Sequence, residues 1–90
     1  MNAADPAGFA EALKALVLDA AEKNAPEGGL LDDEPLFGEL SRLGLDSLDA
    51  LQISMAIQQR VGVRITDSKE TRRALGSIAF LAAYLRARLG

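Results

Sequence analysis

The residues whose types and spacing could do chemistry lie in one run, Leu43-Gly44-Leu45-Asp46-Ser47-Leu48-Asp49. Gly44 breaks what precedes it. Asp46 and Ser47 are both favoured helix N-cap residues, and an apolar-periodic segment begins at Leu48. A helix therefore starts here, with a serine hydroxyl at its tip. Backbone N–H groups that lack helical partners, together with the macrodipole, make such a tip a place for a phosphate group. A lone Asp-Ser-Leu is far more often a plain helix cap, so the surroundings must decide between cap and modification site.

Little other chemistry is available. There is no cysteine, hence no thiolate nucleophile, disulfide or sulfur-ligated metal, and no histidine, the usual general base and commonest transition-metal ligand. A catalytic serine needs a nearby base. Lys14, Lys23 and Lys69 are the only substitutes, and each reads as a solvated surface residue. Asp32-Asp33-Glu34 lacks the ordered ligand spacing and distal Glu of a calcium loop, so no metal site is expected. Charge is divided along the chain. Residues 1–50 hold eleven acids against Lys14, Lys23 and Arg42, and residues 51–90 hold Asp67 and Glu70 against seven bases. That polarity argues against indiscriminate nucleic-acid binding, which needs a continuous basic face, and suggests steering toward partners. No segment reaches the length of a membrane span and no signal-peptide pattern opens the chain, so a cytoplasmic protein is expected.

The elements that must position Ser47 follow from pattern. The chain is long enough for one domain over 1–90, with 1–4 as a frayed tail and a bundle over about 6–89. The apolar half of the residues includes no Trp and only four Phe or Tyr, so the core is aliphatic and favours helices. Asp5-Pro6 is a cap and first-turn pair that opens helix 1, predicted over about Pro6 to Lys23. Phe9, Leu13, Leu16, Val17 and Ala20 share one face of it, and Lys14, Asp19, Glu22 and Lys23 face water. A long loop runs from Pro26 to Leu43, pinned by Leu30, Leu31, Leu36, Phe37, Leu40 and Leu43, with a short helical turn around Phe37 to Arg42.

Helix 2, about Ser47 to Val61, carries two apolar stripes. Ala50, Ile53, Ile57 and Val61 face the core. Leu48, Leu51 and Met55 lie beside Ser47 on roughly the opposite side. Either both stripes are buried or the second is an exposed docking strip, a role that suits Met. Val63-Arg64-Ile65 is extended but too short for a sheet. A short third helix spans about Asp67 to Arg73, with Asp67 and Glu70 as a capping pair. Gly76-Ser77 opens helix 4, with Ile78, Leu81, Ala82, Leu85 and Leu89 as its core stripe and Phe80 and Tyr84 flanking the long loop.

This order of elements, with Leu43 to Asp49, Val61-Gly62-Val63-Arg64-Ile65-Thr66-Asp67, Leu75-Gly76-Ser77-Ile78 and Tyr84, closely resembles the acyl carrier protein family from Pro6 onward. The resemblance implies an all-α, four-helix acyl-carrier-type bundle with no catalysis of its own. It implies that Ser47 receives 4′-phosphopantetheine from coenzyme A through a phosphodiester made by a separate phosphopantetheinyl transferase. The thiol of that arm would carry acyl intermediates as thioesters between acyl-loading and acyl-processing enzymes of fatty-acid or polyketide-type biosynthesis. Asp46 would belong to the cofactor site, and Asp46 and Asp49 would bracket Ser47 as transferase contacts. Leu48, Asp49, Leu51 and Met55 would meet partner enzymes, and the acyl chain would shelter in the aliphatic interior. Monomer is the default state.

Many family members line helix 2 with Glu, whereas this chain has Gln52, Gln58, Gln59 and Arg60 there and bases in helix 3. That departure points to a specialised pathway with its own enzymes. Two alternatives stay open. One is a peptidyl or aminoacyl carrier, although such proteins often show Gly-Gly-x-Ser and Leu45-Asp46 precedes Ser47 here. The other is an unmodified interaction bundle that binds a partner through Leu48, Leu51 and Met55.

Overall fold

Helical periodicity in four segments becomes four helices. The computed structural model describes residues 6–65 and 68–89, in which α1 is Pro6–Ala20, α2 is Ser47–Arg60, α3 is Ser68–Ala74 and α4 is Ile78–Leu89. The expected caps Asp5 and Asp67, and the tail 1–4, lie outside the described residues. α1 packs against both α2 and α4, and the short α3 bridges α2 to α4. No helix among the described residues is long and apolar enough to cross a membrane.

Phe9, Leu13, Leu16 and Val17 of α1 are buried against Ala50, Ile53 and Ile57 of α2 and Ile78, Leu81 and Leu85 of α4, in one apolar cluster. α1 stops at Ala20, three residues before its predicted end. Glu22 turns into the left-handed region at φ 55°, and the Lys23 N–H donates to the Leu18 carbonyl at 2.9 Å. That closure satisfies the last carbonyls and buries Ala21, while Ala20 is only partly covered. Lys14 does not simply face water, because it is mostly covered while it holds Asp32 at 2.6 Å and Glu11 at 3.1 Å. α2 ends in a similar turn, with Val61 as the cap and Gly62, at φ 84°, donating to Ile57 and Gln58 carbonyls.

The long connection is pinned, though not by every residue expected to pin it. Leu30, Leu36, Leu43 and Leu45 are buried and Phe37 packs against the core, whereas Leu31 points outward and Leu40 is 87 % exposed. Leu40 sits on a tight turn closed by Ser41 N–H to Gly38 O at 3.2 Å. That turn replaces the expected helical turn, because Gly38 takes φ 90° and the Ser41 hydroxyl takes the N–H groups that a helix would use. The loop also closes onto α4. Leu36 N–H donates to Gly76 O at 3.2 Å, and Ala79 N–H, a free donor of the first turn of α4, reaches Asp32 O at 2.7 Å. Ser77 caps the same turn by accepting from Phe80 N–H at 3.1 Å.

Two expectations for α4 are corrected. Leu89 is 44 % exposed, since the helix runs past the elements that could cover its last turn. Phe80 and Tyr84 turn toward α3, not the long loop. The Tyr84 hydroxyl donates to Glu70, and Arg88 lies over the Tyr84 ring while pairing with Glu70 at 2.5 Å. Leu36→Ala should cost about 2–5 kcal/mol in urea unfolding, as buried leucine truncations do. Leu40→Ala should stay within about 0.5 kcal/mol of the parent.

Candidate functional site

Four devices in the loop set where Ser47 stands. Arg42 gathers the strand of chain before it. Its Nε and Nη2 donate to the Glu34 carboxylate at 2.8 and 2.6 Å, Nη1 to Glu27 O at 2.7 Å and Nη2 to Gly29 O at 2.8 Å. Glu34 also accepts the Leu31 N–H at 2.6 Å. The Ser41 hydroxyl donates to Leu36 O at 2.8 Å and accepts from Leu43 and Gly44 N–H, both at 3.1 Å. Gly44 then takes φ 59°, a conformation that a side chain disfavours, although a Cβ there would meet nothing within 4 Å. Finally a parallel bridge joins Phe37 to Leu45, the residue before the cap.

Asp46, not Ser47, is the N-cap of α2. Its Oδ1 accepts from Asp49 N–H at 3.0 Å, and Asp49 Oδ2 accepts from Asp46 N–H at 3.1 Å, a reciprocal capping box. The Asp49 N–H above all holds the Asp46 carboxyl below its usual range. Ser47 becomes the first helical residue, exposed, with a hydroxyl that engages no partner among the described residues. The donors at this tip are shared: the Asp46 and Asp49 carboxylates take the N–H groups of Asp49 and Asp46.

The open question about α2 is resolved by exposure. Leu48, Leu51 and Met55 are 60, 55 and 53 % exposed, while Ala50, Ile53 and Ile57 are buried and Val61 is partly covered. Next to the exposed strip, a cleft of about 300 Å³ opens between α2 and α3, lined by Ser47, Ala50, Leu51, Ser54, Ile65, Thr71 and Arg72. Ser54 donates its hydroxyl to Leu51 O at 2.8 Å, which leaves the cleft wall beside it largely apolar. None of Lys14, Lys23 and Lys69 lines this cleft. Lys14 is paired with Asp32 and Glu11, and Lys69 lines a separate hollow with Phe80 and Tyr84.

Of the residues expected at the site, the structure places Ser47 and Leu51 in one cleft, Asp46 and Asp49 in the cap of α2, and Leu48, Leu51 and Met55 on its exposed strip. Sequence reasoning missed Arg42 and Arg72. For Arg42 one signal existed, since it is the sole arginine in the acidic first half of the chain.

A family model described as a phosphopantetheine attachment site matches residues 11–70, from within α1 to within α3. No curated protein and no solved structure matches the chain.

The Arg42 guanidinium, and then the Leu31 N–H, pull the Glu34 carboxyl from 4.5 to about 2. A carboxyl depressed on folding stabilises fully above its unfolded value, and that contribution fades as pH falls through the folded one. Glu34→Gln should therefore lower Tm by several degrees at neutral pH. The gap to the parent should narrow below about pH 4.5 and close near pH 2 in a series of thermal melts.

Proposed function

The chain belongs to the phosphopantetheine attachment family, and we propose that Ser47 is the residue to which its 4′-phosphopantetheine is joined. Carrier domains of this family are not enzymes; they hold a cofactor for the enzymes of a pathway. The observation that carries the assignment is the Ser47 hydroxyl, exposed and uncommitted on a backbone turn held by the Asp46–Asp49 box. In the transfer, a phosphopantetheinyl transferase would join Ser47 Oγ to the phosphate as the pyrophosphate bond of coenzyme A breaks. The hydroxyl proton is lost to base and the nucleotide leaves. The residues present fit the group, since the cleft beside Ser47 offers a guanidinium at Arg72 and apolar wall at Ala50, Leu51 and Ile65. When attached, the group supplies the terminal thiol that holds an acyl chain as a thioester, chemistry a chain without cysteine lacks.

The acyl-carrier reading is preferred to a peptidyl one because Leu45-Asp46 precedes Ser47 and the buried face of α2 meets an interior that is aliphatic apart from Phe9. An apolar bundle of this kind can part between helices without stranding hydrogen bonds, so the chain can shelter a hydrocarbon cargo. Asp46 and Asp49 flank the serine as acidic contacts for the transferase. Leu48, Leu51 and Met55 form the apolar strip that meets loading and processing enzymes, of a fatty-acid or polyketide-type pathway with its own dedicated partners.

Intact mass after incubation with coenzyme A and a broad-specificity phosphopantetheinyl transferase should rise by one prosthetic group in the parent and not at all in Ser47→Ala. No gain with several transferases would favour an unmodified interaction bundle. Leu51→Ala and Met55→Ala should change stability by less than about 0.5 kcal/mol yet slow modification or acyl loading. A loss of several kcal/mol in either would mean that the strip is part of the core.

A further inference from the structure

A phosphodiester on Ser47 would form in an acidic setting. Asp46 and Asp49 flank the serine, and their side chains already take N–H donors that a helix start would otherwise turn to an anion. Neighbouring like charges oppose one another, and more strongly near a protein surface than in bulk water. A nearby cation would offset this, and among the described residues Arg72 is the one that lines the Ser47 cleft.

Two further observations favour Arg72. Arg42, Arg60 and Arg88 each hold a carboxylate, on Glu34, Asp19 and Glu70 respectively, whereas Arg72, like Arg64, Arg73 and Arg86, holds none among the described residues, and of these four it is the one that lines the cleft. Its direction is also set. Residues two apart on a helix point roughly 200° apart, and Glu70 is drawn to α4 by Arg88 and Tyr84. Arg72 is thereby turned to the other side of α3, where the cleft to α2 lies. Thr71 beside it is 7 % exposed, so α3 is seated by burial as well as by its ion pair. A guanidinium also suits a phosphodiester better than an ammonium does, because its planar fork can donate to two oxygens at once.

We propose that Arg72 is the counter-ion of the phosphodiester on Ser47, and that it holds the root of the arm in the α2–α3 cleft. The proposal rests on Ser47 as the attachment residue. It makes Arg72 a positioning residue for the arm, and it predicts that modification ties α3 to α2.

The parent, Arg72→Gln and Arg72→Lys would each be converted with coenzyme A and a phosphopantetheinyl transferase, checked by intact mass, and melted in apo and holo forms. The holo parent should melt on the order of 2–4 °C above apo at low ionic strength. That gain should shrink at about 0.5 M salt, where screening is strong. Arg72→Gln should lose the gain while its apo form melts like apo parent, since the side chain is exposed. Arg72→Lys should keep part of it. In the parent alone, the Arg72 Nε–H resonance should move on modification, a readout that needs no variant. An equal gain in holo Arg72→Gln, no gain in the parent, or an unmoved resonance would overturn the proposal. A parent that gains no mass would instead remove the Ser47 assignment, and the two failures are distinct.

Discussion

One guanidinium organises the approach to Ser47. The segment between α1 and α2 contains Gly28-Gly29, Pro35 and an acidic run, none of which can hold a regular element. Ordering it costs backbone entropy at every residue. Buried leucines recover part of that cost, but apolar burial alone does not fix direction. Arg42 does, because its planar donors reach Glu27, Gly29 and Glu34 at once and bring residues 8 to 15 positions apart to one point. Everything downstream, from the Ser41 turn through the Phe37–Leu45 bridge to the cap of α2, starts from that fixed point.

The second constraint is the division of labour on α2. Its inner face supplies Ala50, Ile53 and Ile57 to the core, and its outer face leaves Leu48, Leu51 and Met55 in solvent beside the serine. A helix with two apolar faces and one buried one is poorly explained by stability, since the outer strip adds nothing to the core. Capping by two aspartates adds a matching asymmetry. It anchors the first turn without using Ser47, so the first residue of α2 keeps a hydroxyl with no partner among the described residues.

Much of this was legible in the sequence because it is local. Phe9, Leu13, Leu16 and Val17, or Ile78, Leu81 and Leu85, recur at helical spacing, and Asp-Ser-Leu after a glycine marks a helix start without reference to the rest of the chain. What was not legible depends on partners distant in sequence. Nothing about Arg42 or Glu34 as residue types announces their pairing. Leu31 and Leu40 look like anchors because leucine usually is one, and only the turn at Gly38 shows why Leu40 points away. Phe80 and Tyr84 could be placed on a face of α4 but not opposite a neighbour, since the position of α3 is set by packing. The choice of Asp46 over Ser47 as cap was similarly undecidable by propensity, and the reciprocal bond to Asp49 decides it.

The serine hydroxyls of this fold differ in what holds them. Ser41 spends its proton on Leu36 O and its lone pairs on two N–H groups, Ser54 donates to Leu51 O, and Ser77 accepts from Phe80 N–H. Each of these three hydroxyls is tied to backbone near it, whereas that of Ser47 has no partner among the described residues, so of these four chemically identical alcohols the fold leaves Ser47 the least encumbered.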